Sequence, residues 1–197
     1  PVLTSVDKTS VMHVVQSGVS YQATIANIIG SVIPGVTYDA VVGTGLQYET
    51  IQAAINAGKT NLLIVTNITE TVSTTISGFL TITCLSGVTV TFNNATPFQV
   101  SSGVANLIIN GNNAIFSYTF STSNILIDFT NADTGSSYKI SDLKFVDNST
   151  IGNTPPISAQ PVSADITGHL INISHYMSNN TTSGILVQSC YIDGYVI

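Results

Sequence analysis

Tyr48-Glu49-Thr50-Ile51-Gln52-Ala53-Ala54-Ile55-Asn56-Ala57-Gly58 is the stretch on which the fold turns. Its apolar residues Ile51, Ala54 and Ile55 fall on one face of a helix, and Gly58 supplies the C-terminal stop, because glycine adopts the left-handed backbone that ends a helix at little cost. No comparable helix signal follows it. Downstream come short apolar runs separated by Gly, Asn and Ser: Leu62 to Val65, Leu80 to Leu85, Val88 to Phe92, Leu107 to Ile109, Ile125 to Phe129, Ile140 to Val146, Leu170 to Ile173 and Ile185 to Ile192. Many alternate apolar and polar residues, the period-two signature of a strand with one buried and one solvated face.

Four of these segments share a texture: Leu80 to Phe92, Leu107 to Phe116, Ile140 to Val146 and Leu186 to Ile192. Their spacing is not constant. A strict hexapeptide solenoid is therefore excluded, while a parallel β-helix with coils of roughly 20 to 25 residues and variable loops fits. The longest loop is expected between Asn148 and Gly168, around Pro155, Pro156 and Pro161. A β-sandwich is the rival, since short strands with turn signals also describe it. Upstream, Val11 to Val15 reads as a strand, Gln16 to Ser20 as a turn, and Ala23 to Ile29 as a short helix ending at Gly30.

Composition narrows the function. Of 197 residues only 7% are charged, against about 25% in an ordinary soluble domain, and 44% are hydrophobic, enough to bury a core. Ser, Thr and Asn make up roughly a third of the chain and replace charge as the solvating groups. Such a surface suits a rigid extracellular or particle-bound protein whose flanks are covered by copies of itself. With four Lys, no Arg, ten acidic residues and a pI near 4.5, no basic stripe is available for nucleic acid. Mean hydropathy is +0.39, yet no apolar run approaches the ~18 residues of a spanning helix, so membrane insertion is not expected. The chain begins at Pro1 without a signal-peptide pattern and ends within the alternation Tyr195-Val196-Ile197, which points to a piece of a longer polypeptide or a processed product.

Residues 39 to 197 resemble the right-handed parallel β-helix, or pectin-lyase-like, superfamily. The resemblance rests on Asp39-Ala40-Val41-Val42-Gly43, Tyr48-x-Thr50-Ile51-Gln52-Ala53-Ala54-Ile55, Leu80-Thr81-Ile82 and Gly87-Val88-Thr89-Val90. It implies an all-β solenoid whose N-terminal end is plugged by the amphipathic helix, which covers a disc of core and the strand edges that an open coil would expose. A shorter likeness, Val14-Val15-Gln16-Ser17-Gly18-Val19 and Ala23-Thr24-Ile25-Ala26, resembles a segment near the start of phage tail-fibre and tailspike proteins. The expected organisation is an attachment segment at 1–30, a connector at 31–45 and a β-helix from 46 to 197. The resemblance further implies a virion structural protein: a homotrimeric shaft that docks to other virion proteins through residues 1–30 and touches host-surface glycan. The alternatives are a polysaccharide depolymerase or a cell-surface adhesin on the same fold.

Enzymes of the superfamily carry distinct catalytic patterns. Its lyases use Arg or Lys beside bound calcium, its galacturonases an Asp trio with Gly-His-Gly and Arg-x-Lys, and its methylesterases two Asp and an Arg. Here Arg is absent, and Gly168-His169-Leu170 copies only two residues of one motif, so no catalytic residue carries over and no cofactor is expected. The best acidic constellation is Asp128, Asp142 and Asp147. Paired carboxylates at 5–9 Å could perform acid and base work on a glycosidic bond. In Asp142-Leu143-Lys144-Phe145, however, alternation reads as a solvated strand face with an ion pair. His13, His169 and His175 lack the further ligands zinc needs and are expected to be exposed or to pack between coils. Asn110-Gly111-Asn112-Asn113 reads as a turn tolerant of left-handed backbone. Cys84 and Cys190 read as buried free thiols, and Tyr118, Tyr138, Tyr176, Tyr191 and Tyr195 as core or rim residues, with a sugar-stacking role as the alternative.

Overall fold

In the computed structural model, the residues described are 37–93, 97–121, 124–149, 156–159 and 166–177, together with the backbone of strands at 11–16, 19–24, 186–187 and 190–196. Three strands and one helix open the chain: β1 (Val11–Gln16), β2 (Val19–Thr24), β3 (Ala40–Val42) and α1 (Ile51–Asn56). There follow β4 (Asn61–Ile64), β5 (Ile68–Glu70), β6 (Thr74–Cys84), β7 (Thr89–Phe92), β8 (Phe98–Tyr118) and β9 (Ile127–Asp128). The last are β10 (Ser137–Asp147), β11 (Ile157–Ala159), β12 (Thr167–Met177), β13 (Leu186–Val187) and β14 (Cys190–Val196). β1 and β2 pair antiparallel; every other pairing is parallel. Ala23 and Thr24 thus belong to a strand and not to the expected helix, whose remaining residues, 25–29, lie outside the described ones.

The parallel pairings wind the chain into a β-solenoid with three ladders. The first stacks Ala40 on Leu62, Leu62 on Ile82, Ile82 on Ile109, Ile109 on Ile140, Ile140 on Leu170 and Leu170 on Ile192. The second stacks Ile68, Val90, Phe116, Phe145 and His175, and the third stacks Thr74, Phe98, Ile127 and Ile157. A β-sandwich would require antiparallel sheets, so the solenoid is the fold. β3 joins the first ladder, although its residues fall in the stretch read as a connector. The expected loop between Asn148 and Gly168 contains β11, which continues the third ladder.

Inward positions repeat from coil to coil, so like residues stack on like. Leu62, Ile82, Ile109, Ile140 and Leu170 are all fully buried. Beside them an aromatic column forms, with ring centroids 5.4 Å apart for Phe92 and Phe98, 5.3 Å for Phe92 and Phe116, and 6.3 Å for Phe116 and Phe145. Such pairs add about 0.5–1.5 kcal/mol each beyond the area they bury.

Long strands such as β8 turn corners where residues adopt left-handed backbone. Asn112 (φ 49°), Asn113 (φ 64°), Asp142 (φ 51°) and Asn172 (φ 52°) occupy one such corner, between the first and second ladders. Asn and Asp tolerate this conformation better than other side-chain-bearing residues. Asn110-Gly111-Asn112-Asn113 is therefore the turn that its composition predicts. Gly111 is needed for a second reason: a Cβ there would run into the backbone of Asp142 and Leu143 in the next coil.

Candidate functional site

The capped end is built by α1. Thr50 is its N-cap, and its hydroxyl accepts a hydrogen bond from Ala53 N at 3.1 Å. Gly58 (φ 74°) ends the helix as the sequence predicts. Ile51 and Ala54 are fully buried in the solenoid core and Ile55 packs against it, so the apolar stripe covers the first coil. A residue that the sequence reading did not single out holds the plug: Glu70, at the end of β5, is 1% exposed and its Oε1 accepts from Ile51 N at 2.5 Å. Burial drives its pKa upward, opposed by hydrogen bonds from the Ile51 and Gln52 amides. The carboxylate satisfies orphan N–H groups of the first helical turn, which a buried helix end must satisfy somehow. Asp39 performs a related task at the coil edge, where its Oδ2 accepts from Thr60 N, Thr60 Oγ1 and Asn61 N, and these bonds lower its pKa.

Beside the cap lies an open groove of about 370 Å³ lined by Thr44, Glu49, Thr50, Asn67, Ile68, Thr69, Thr89 and Thr91. Several of its polar groups are engaged internally: Thr44 Oγ1 donates to Asn67 O at 2.9 Å, and Asn67 Oδ1 accepts from Thr89 N at 2.8 Å. A smaller groove of about 180 Å³ near the C-terminal end of the helix includes Ile55, Ile76, Phe79 and Leu80. Neither groove contains a His, Cys or Asp that could serve as nucleophile beside a base.

The three carboxylates singled out from sequence occupy three different structural positions. Asp128 lies on the third ladder and its Oδ1 accepts from Thr130 N at 2.8 Å. Asp142 sits at the left-handed corner, where its Oδ1 accepts from Asn172 Nδ2 at 2.7 Å. The corner resets the strand alternation, so the carboxylate meets the amide of the next coil, while Lys144 Nζ lies 6.0 Å from the centre of the Tyr176 ring. Asp147 points into the core, 2% exposed, and its Oδ1 accepts from Ser149 N at 2.8 Å.

Asp147 has unexpected company. Tyr118 Oη and His175 Nε2 stand 3.2 Å apart, both residues are buried, and Asp147 acts on the imidazole electrostatically. Desolvation lowers the His175 pKa from its ordinary 6.5, and Asp147 pulls the other way. His175 is thus a coil-packing histidine, whereas His169 is exposed, and the two share no site. The side chain of His13 lies outside the described residues. Cys84 is a buried free thiol whose pKa burial pushes up to about 12, so it is no nucleophile at neutral pH. The side chain of Cys190 is outside the described residues, as are those of Tyr191 and Tyr195. Tyr118 and Tyr138 are core residues, and Tyr176 is 58% exposed.

Among the described residues no three His, Cys, Asp or Glu stand together as a metal cage, and no helix is long and apolar enough to cross a membrane. Compared with known proteins, the chain matches no family model, no curated sequence and no solved structure.

Proposed function

We propose that this chain is a non-enzymatic, load-bearing shaft of a fibre- or spike-like virion protein. In this reading residues 1–30 attach to other virion proteins, three copies associate side by side, and the outer flank meets host-surface glycan. The observation that carries it is the hydrogen-bonded first ladder running coil upon coil from Ala40 to Ile192. Parallel ladders of this kind make a rod whose stiffness comes from the backbone and does not depend on a ligand. A capped N-terminal end and a flank of Ser, Thr and Asn with 7% charged residues support the same reading, since they oppose end-to-end pairing while leaving the sides free of strong like-charge repulsion. The resemblance of the helix and first coils to pectin-lyase-like solenoids, and of residues 14–26 to tail-fibre openings, supplies the virion context.

Native mass spectrometry and electron microscopy on the protein from its natural source test this directly. A trimeric rod on or released from particles is the expected result. A compact monomer that cleaves polysaccharide would overturn it in favour of a depolymerase.

A further inference from the structure

The most unusual chemistry in the core is the group Tyr118, Asp147 and His175. The second ladder places Tyr118 directly beside Asp147, and His175 on Phe145 in the following coil. All three are nine-tenths or more buried, at 0%, 2% and 6% exposure. His175 Nε2 meets Tyr118 Oη, whereas buried Nδ1 has no hydrogen-bond partner, and the ring packs edge-on against Phe145 at 6.5 Å. Elsewhere in the second ladder the equivalent inward position is held by Ile68, Val90, Phe116 and Phe145, so an ionisable ring here breaks an otherwise apolar column.

We infer that His175, buried against Tyr118 and Phe145, is an acid-sensitive latch that holds the coils at 137–177 closed at neutral pH and loosens them on acidification. The geometry supplies the reason. A neutral imidazole needs one donor and one acceptor site, and Tyr118 meets one of them. A protonated imidazole has two N–H donors, and Nδ1 has nothing to donate to without rearrangement. Burial then opposes the charge, and only Asp147 favours it. Among the described residues the groups facing the ring are few. Tyr118 and Asp147 come from the second ladder, while the inward residues Ile140 and Leu170 of the first ladder, Leu143 and Ile173 of the second, and Ile127 and Ile157 of the third carry no titratable group.

The sign follows from linkage. Because the imidazole is harder to protonate folded than unfolded, its contribution to stability is complete above pH 6.5, the unfolded value, and is lost as pH falls below it. One linked proton multiplies the open population by up to about tenfold per pH unit in that window. The test is hydrogen exchange on the full chain at pH 7.5, 6.5, 5.5 and 4.5, corrected for intrinsic exchange, with the amides of 137–147 and 167–177 compared with those of 61–84. The expected result is a rise approaching tenfold per unit below pH 6.5 in the former and none in the latter, with the rise abolished in His175→Gln. A parallel response in both regions, or an undiminished one in His175→Gln, would overturn the latch. Should His175→Gln fail to fold, the wild-type comparison decides alone, joined by the ring nitrogen shifts of His175: a ring that titrates below the ordinary 6.5 supports the latch and one that titrates at or above it refutes it.

Discussion

The first and the later coils of the solenoid each bury an ionisable group, in different settings. At the N-terminal end the coils are short, with Asp39 and Asn61 bonded across 22 residues, and the core is sealed by an amphipathic helix held by a buried carboxylate. In the later coils the spacing lengthens, with Asp142 and Asn172 bonded across 30 residues, and among the described residues the last inward side chain of the second ladder, His175, meets Tyr118. The difference teaches that a ladder fixes where residues stack but not what may stack there. The two buried groups respond to pH in opposite directions. Glu70 has a raised pKa, so its contribution is complete below pH 4.5 and is lost as pH rises through its folded value. His175 behaves in the reverse sense.

The largest effect is expected where the two regions join. Phe116 packs in edge contacts between Phe92 and Phe145, and Phe116→Ala should cost about 4 kcal/mol through lost burial and a residual cavity, measured by urea unfolding. A single transition that shifts as a whole would show the two regions to be one cooperative unit; two separated transitions would break them apart.

A smaller loss is expected from Gly168→Ala, in the longer coils. A Cβ there would run into the ring of buried Tyr138, and overpacking of this kind costs about 1–3 kcal/mol. Pairing the change with Tyr138→Phe tests the mechanism, because removal of the hydroxyl that a Cβ would meet should recover part of the loss.

At the capped end, Glu70→Ala leaves helix N–H groups without their acceptor and should cost about 2 kcal/mol at pH 7. Glu70→Gln keeps an acceptor oxygen and should cost less, while removing the loss of stability that the wild type shows as pH rises above 4.5. A pH profile unchanged in Glu70→Gln would refute the opposition between the two regions.

The smallest effect belongs to the corner. Asn172→Ala places a residue with no compensating side chain at φ 52° and loses the bond to Asp142, for about 1 kcal/mol or slightly more. Asn172→Gly relieves the backbone and should recover much of that, which separates conformational cost from hydrogen bonding.

Much of the fold is legible residue by residue. The α1 helix, its stop at Gly58 and the apolar runs of the strands follow from local periodicity, and the Asn-Gly-Asn-Asn corner follows from the backbone those residues tolerate. The second strand of the N-terminal hairpin was harder, because Ala23 and Thr24 suit either a short helix or a strand, and pairing with Met12 and Val11 decided it. The network in the core was not legible. Tyr118 and His175 are 57 residues apart, and nothing in either local pattern announces that coil stacking will bring them together. Around Asp142 the alternation was legible, since Leu143 and Phe145 are buried while Asp142 is part-exposed and Lys144 exposed, but its partner was not, because the left-handed residue at 142 turns the strand and brings the carboxylate to Asn172 of the next coil.

The sequence by itself determined a charge-poor chain of short, half-buried strands with one amphipathic helix, because burial periodicity, turn chemistry and capping are all encoded within a few residues, whereas the parallel pairing that excludes a sandwich came from the structure. Only the tertiary structure decided which carboxylates are buried, that Glu70 holds the plug, that Asp128, Asp142 and Asp147 take unrelated positions, and that Tyr118, Asp147 and His175 form one group. The physical reason is register. Which residue stacks on which depends on coil lengths summed over the intervening chain, and those lengths vary from coil to coil with loops whose composition does not set them.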